Sequence, residues 1–232
     1  MNIVITGASR GMGKAMAMRF SEKGNHLFLC SRSIENLEKV KSEILKNSPD
    51  VMVDIFAADL TKKEEVLAFA SFCLAKCIPD ILINNAGMYA PGNCHDEPEG
   101  TLEYMLNINL YSAYHLTRAL IPSMMQRKSG HIFNLCSIAS LKAYPGGGGY
   151  GISKFALHGF NLNLREEMKT HGIKVTGIYP GAVLTDTWGD FDNSQKRIME
   201  ASDIAEMVYS CTKLSAQAVV EDIIIRPQLG DL

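Results

Sequence analysis

Short apolar runs alternate with longer amphipathic stretches along the whole chain. Runs rich in Val, Ile, Leu and aromatics predict seven strands, at Asn2–Thr6, 26–30, 51–57, Ile81–Asn84, 131–136, 174–179 and 220–226. Helical periodicity fills the gaps, predicting helices at 13–23, 33–46, 62–76, 101–127, 150–170 and 202–213. Thr61 is expected to cap the third helix, and Pro122 to bend the long fourth one. Gly146 to Gly149 reads as a pliable loop before the helix that starts at Tyr150.

The β-α-β-α rhythm predicts an α/β fold with parallel strands joined by right-handed helical crossovers. Runs such as IVIT at 3–6 and ILIN at 81–84 are apolar throughout, as strands covered on both faces must be. No linker, repeat or charge block divides residues 1–232, so a single domain is expected. In such sheets ligands sit beyond the carboxyl ends of the strands, where the polar motifs should gather.

Composition narrows the function classes. With 47% hydrophobic and 21% charged residues the chain reads as globular. A net charge of -2 gives no electrostatic case for nucleic acid or an anionic membrane. No apolar stretch is long enough to span a bilayer, and residues 1–6 already form a strand rather than a leader, so a cytoplasmic enzyme is expected. The six cysteines contain no C-x-x-C pair and the six histidines share no ligand spacing, so no metal site is expected.

Chemistry first shows at Thr6-Gly7-Ala8-Ser9-Arg10-Gly11-Met12-Gly13, between the first strand and the first helix. Glycines allow a tight turn and close backbone approach to a diphosphate, and the helix start points N–H groups at the anion. At the end of the second strand no Asp or Glu stands ready for a ribose 2′-hydroxyl; the residues are Ser31, Arg32 and Ser33. Forked guanidinium donors suit a phosphate, so Arg32 and Arg10 are expected to flank the 2′-phosphate of NADP(H), with Ser31 and Ser33 as further donors.

Seven motifs now stand in order: Thr6 to Gly13, Asp59-Leu60, Asn84-Asn85-Ala86-Gly87, Asn109, Ser137, Tyr150-x3-Lys154, and Pro180-Gly181 followed by Thr185. In this the chain resembles the short-chain dehydrogenase/reductase family over essentially its whole length, with a general likeness to 3-oxoacyl carrier-protein reductases and sepiapterin- or diketone-type reductases. The resemblance implies a single-domain Rossmann fold, a seven-stranded parallel sheet with three helices on each face. It implies that Asp59 and Leu60 meet the adenine region, and that Asn84 steadies the sheet centre while Asn85, Ala86 and Gly87 line the cofactor cleft. It also implies that Pro180, Gly181, Val183 and Thr185 hold the nicotinamide end, and that Asn109 anchors a water in a proton relay through Lys154.

The side chains fit carbonyl–alcohol interconversion. A proton must reach the oxygen as hydride moves. Tyr150 and Lys154 are four apart on a helix and share a face, so the ammonium is expected to favour the phenolate. Ser137 is expected to hydrogen-bond the substrate oxygen. The pocket should be formed by loops 88–98, 140–149 and the segment after Gly181, where Trp188 and Phe191 either offer an apolar wall or simply pack with no substrate role. About twenty residues separate Gly181 from the next helix, which predicts an open site. The expected partners are a small carbonyl or alcohol substrate and further copies of the chain, as a homodimer or homotetramer packed through the two long helices. Alternatives are an NAD-dependent alcohol dehydrogenase, an extended-branch epimerase (for which the chain is short), and a non-catalytic dinucleotide sensor.

Overall fold

The computed structural model describes residues 1–231. Seven strands, β1 (Asn2–Thr6), β2 (His26–Ser31), β3 (Met52–Ala57), β4 (Ile81–Asn84), β5 (Gly130–Leu135), β6 (Ile173–Pro180) and β7 (Asp222–Ile225), form one sheet in the order β3-β2-β1-β4-β5-β6-β7. Every pairing is parallel. The helices are α1 (Gly11–Arg19), α2 (Ile34–Asn47), α3 (Lys63–Leu74), α4 (Thr101–Leu106), α5 (Ser112–Arg127), α6 (Gly148–Met168) and α7 (Ala201–Thr212).

Side chains of successive strand residues point to opposite faces, and the core divides accordingly. Ile3, Ile5, Leu27 and Leu29 pack with Met16 of α1 and Phe20 just beyond it, Leu37 and Ile44 of α2, and Ile204 and Val208 of α7. Val4, Phe28 and Cys30 pack on the other side with Val66 and Phe69 of α3, Leu116 and Leu120 of α5, and Leu164 and Met168 of α6. With α4 and α5 as one continuous helix, three helices cover each face, as the resemblance implies. The chain leaves β1 towards β2 and β3, then crosses back to place β4 on the other side of β1. The carboxyl ends of β1 and β4 therefore flank the topological switch point, where such sheets bind ligands.

Three local expectations change. Thr61 does not cap α3: Lys62 is the capping residue, without a side-chain bond, while the Thr61 hydroxyl donates to Asp59 Oδ1 at 2.8 Å. The long helix continues through Pro122; its irregularity is a π-helical turn at Asn107–Tyr111. The glycine run is not all loop, because α6 starts at Gly148 and includes Gly149. Among the described residues no helix is long and apolar enough to cross a membrane.

Candidate active site

The glycine turn follows β1 directly, and two of its residues need glycine's conformational range: Gly7 has φ +65° and Gly11 φ +52°. Gly13 is glycine for space, because a Cβ there would lie 2.5 Å from Asn85 Nδ2 and closer still to the Gly7 carbonyl oxygen. Asn85 locks the turn from β4's end, donating from Nδ2 to Thr6 O at 2.8 Å and Gly7 O at 3.2 Å. Thr6 Oγ1 in turn accepts the N–H groups of Asn85 and Ala86. The start of α1 carries no side-chain cap and no acidic residue in its first turn. Its positive end thus faces a cradle of bare backbone, which fits a diphosphate. Ser9 is half-buried beside it, and Met12 turns inward against the core.

At the far side of the cradle, Arg32 is exposed, and its charge helps hold down the Asp59 pKa. Burial raises that carboxyl, but the Thr61 hydroxyl and N–H outweigh burial, so Asp59 sits below its ordinary value. Ser31 Oγ donates to the Ser33 carbonyl at 3.3 Å. Ser33 caps α2 by accepting the Asn36 N–H, and its hydroxyl donates to Glu35. Arg10 reaches Asp186 at 3.2 Å, joining the turn to the segment after β6. Both side chains are about two-thirds exposed, so the pair is weak and readily exchanged for another anion. Leu60 contributes no polar group; its side chain is buried in the core.

The second cluster forms where β4, β5, α4, α5 and α6 meet. A Cβ on Gly87 would lie 2.9 Å from Asn109 Oδ1 and 3.5 Å from Lys154 Nζ, so these groups share one small space. Asn109 sits in the π-helical turn with its amide fully engaged. Oδ1 accepts the Met88 N–H at 2.8 Å; Nδ2 donates to Met88 O at 3.0 Å and to Ser153 Oγ at 2.9 Å. It thus ties the loop after β4 to the helix bearing Lys154, and the widened turn lets it point there. Lys154 is buried, donates to the Leu135 carbonyl at 2.8 Å, and has Nζ 5.9 Å from the Tyr150 ring centroid. Burial pulls its pKa down to about 8.

Tyr150 comes out differently from the expectation of a phenol pulled down by its lysine. Burial pushes its pKa above the ordinary value; a hydrogen bond with Ser137 pulls it back in part, and Tyr89 and Cys136 push further up. Desolvation disfavours the phenolate and is the largest of these effects. Ser137 is nearly buried at the end of β5, held by a reciprocal cap with Ser140: Ser137 N–H donates to Ser140 Oγ at 3.1 Å.

Pro180 ends β6, and Gly181 N–H donates to Ile225 O at 2.8 Å. Val183 is buried in the core, and Thr185 approaches the glycine turn, its Cγ2 3.2 Å from where a Gly11 Cβ would stand. The segment beyond closes on itself, with Leu184 N–H donating to Met199 O at 2.7 Å. Trp188 donates its indole N–H to Val183 O at 2.8 Å and packs on Phe191. These aromatics pack against each other. The aromatic that meets Tyr150 is Tyr89, edge-on with ring centroids 4.9 Å apart.

Sequence reasoning missed a ladder of core amides. Asn84 Nδ2 donates to Asn134 Oδ1, and Asn134 Nδ2 to Asn161 Oδ1, each at 2.9 Å, while Asn84 Nδ2 also meets Thr117 Oγ1 at 2.9 Å. The signal was present as Asn134 inside an apolar strand, but only the sheet order shows what it faces.

Comparison with known proteins shows the family. The short chain dehydrogenase family matches residues 1–196. Sepiapterin reductase of Chlorobaculum tepidum is 33% identical over 99% of this chain and 97% of its own. A metagenomic short-chain oxidoreductase in complex with NADP superposes with a TM-score of 0.86 at 30% identity, covering 98% of this chain and 97% of that one. The alcohol dehydrogenase of Thermococcus sibiricus, complexed with 5-hydroxy-NADP, superposes at 0.91 with 27% identity over 100% of this chain and 98% of its own. With the glycine cradle at the switch point and the Tyr150–Lys154 pair beside Ser137, these matches place the chain in the short-chain dehydrogenase family of oxidoreductases.

Proposed function

We propose that this oxidoreductase uses NADP(H) to interconvert a carbonyl and a secondary alcohol, with Tyr150 as proton donor and acceptor. The observation that carries the reading is Lys154 Nζ, 5.9 Å from the Tyr150 ring centroid and beside Gly87, which lies on the segment that follows the Asn85 lock of the backbone cradle. Gly7, Gly11 and Gly13 would hold the diphosphate, Arg32 and Arg10 the 2′-phosphate, and Thr185 with Pro180-Gly181 the nicotinamide end. The missing acid at the end of β2 supports NADP(H), as do the NADP-bound relatives. When bound, the nicotinamide supplies or takes up the hydride.

The remaining work falls to the chain's own groups. Ser137 donates a hydrogen bond to the substrate oxygen and holds it against the Tyr150 hydroxyl. Tyr150 gives that oxygen its proton, and the Lys154 ammonium stabilises the phenolate left behind. A phenol raised by burial keeps its proton at neutral pH, the form that can donate to the substrate oxygen. Met88, Tyr89, Leu141 and Tyr144 are all at least two-fifths exposed and belong to the segments expected to form the pocket. Their character suits a carbonyl borne on an apolar or aromatic frame. A groove of about 930 Å³ between α5 and α6, lined by Tyr111, Tyr114, Ile121 and Phe160, supports a homodimer or homotetramer through these helices. The test is loss of NADPH absorbance with a panel of aliphatic, aromatic and charged carbonyl compounds. Turnover of aromatic ketones or diketones is expected, and NADPH binding without turnover of any carbonyl would overturn the reading.

A further inference from the structure

Helix α6 carries both Tyr150 and Lys154, yet its start has nothing of its own to close it. The capping residue is Gly147, with no side-chain bond, and the first turn holds no acidic residue. A helix start leaves N–H donors unpaired and carries partial positive charge. The acceptor arrives from a loop 52 residues away: Gly149 N–H donates to Glu97 Oε2 at 2.9 Å. Glu97 is half-buried, whereas its neighbours from 93 to 96 and from 98 to 100 are all exposed.

The glycines around it make room for this carboxylate. A Cβ on Gly148 would lie 2.6 Å from Glu97 Oε2 and from the Gly92 carbonyl oxygen, and one on Gly149 3.2 Å from Oε1. Gly92 lies against the Glu97 side chain, where its own Cβ would be 3.0 Å from that of Glu97. The two segments are also joined directly, since Gly92 N–H donates to Gly146 O at 3.0 Å and Gly92 bridges to Gly147. This accounts for the last two glycines of the run: Gly148 and Gly149 seat a side chain from another loop. That loop also carries Tyr89, whose ring meets Tyr150.

We propose that Glu97 is a positioning residue: it clamps loop 88–98 onto the first turn of α6 and so fixes the Tyr150 hydroxyl. The inference rests on Tyr150 as the proton donor. The test uses the full chain as Glu97→Ala, Glu97→Gln and Glu97→Asp, with NADPH and a carbonyl that the unaltered protein reduces. In Glu97→Ala, kcat falls by about fivefold to a hundredfold, the range spanned by a lost cap and a small misplacement of the donor. NADPH affinity stays unchanged, because its cradle lies on other elements. Glu97→Gln keeps an acceptor at the same reach and restores kcat; Glu97→Asp keeps the charge, falls one methylene short, and does not. Amide hydrogen exchange over 148–152 accelerates in the Ala and Asp variants and not in Gln. Full kcat in Glu97→Ala, a Gln variant as impaired as Ala, or unchanged exchange overturns the clamp. A protein that reduces no carbonyl while its exchange follows the stated pattern overturns instead the role of Tyr150.

Discussion

Gly13→Ala should damage the cofactor cradle without touching the catalytic groups. A new Cβ would lie 2.5 Å from Asn85 Nδ2 and 2.8 Å from the Gly7 carbonyl carbon, against an ordinary contact of 3.4 Å or more. The Gly7 carbonyl oxygen would be closer still, so the neighbours must retreat by about 0.9 Å or more. Neither can move cheaply. Gly7 is backbone, and Asn85 is held by its bonds to Thr6 O and Gly7 O. Gly13 is not in the left-handed region, so the cost is steric alone, unlike that at Gly7 or Gly11. Overpacking of this kind costs about 1 to 3 kcal/mol. For a chain of this size that lowers the melting temperature by about 2 to 12 °C. The displaced turn also forfeits at least one charge-assisted hydrogen bond to phosphate, so the NADPH Kd should rise about tenfold or more. Scanning fluorimetry and NADPH fluorescence titration read the two effects separately. Wild-type values in both would refute the packing argument. A lower melting temperature with unchanged NADPH affinity would show that the diphosphate does not bind at this turn.

Arg32→Ala should weaken NADPH binding about tenfold to a hundredfold and leave NADH affinity nearly unchanged, because the side chain is expected to meet only the 2′-phosphate; equal losses for both cofactors would contradict that. Lys154 makes stability depend on pH. Its folded value of about 8 lies below the ordinary 10.5, so between these values the unfolded chain binds the extra proton. Its burial penalty, about 3 kcal/mol, is complete below pH 8 and is relieved as pH rises towards 10.5. Urea unfolding of the wild type and Lys154→Met at pH 7.5 and 10 should show wild type gaining on the variant at the higher pH, whereas a constant difference would contradict the assigned pKa. Asn134→Ala removes the middle of the core ladder and leaves Asn84 Nδ2 and Asn161 Oδ1 short of a partner. Thermal denaturation should show a loss of about 2 to 5 kcal/mol, and a variant within 0.5 kcal/mol of wild type would mean that the amides find other partners.

Features encoded by local pattern were legible in the sequence, and features made by distant pairs were not. The seven strands follow from apolar runs, and their ends differ from the expected ones by a residue or two, as at β6 (Ile173–Pro180) and β7 (Asp222–Ile225). The glycine turn and the Tyr150–Lys154 pair are local spacings and could be read directly. The π-helical turn could not, because it depends on Asn109 meeting Met88 and Ser153, which lie in segments far along the chain. Trp188 and Phe191 drew attention as bulky apolar residues in a loop, yet they satisfy each other, and the half-exposed Tyr89 stands beside Tyr150 instead. The glycine run reads as pliancy because the partner of Gly148 and Gly149, Glu97, comes from another loop.

The account stands or falls with the Tyr150 hydroxyl, so the decisive measurement is single-turnover reduction of a carbonyl by Tyr150→Phe pre-loaded with saturating NADPH. NADPH should bind as it does to the wild type while the rate of its oxidation falls by at least about a hundredfold, the loss expected when a positioned general acid is removed. An oxidation rate close to that of the unaltered protein would contradict the proposal and place the proton donor elsewhere.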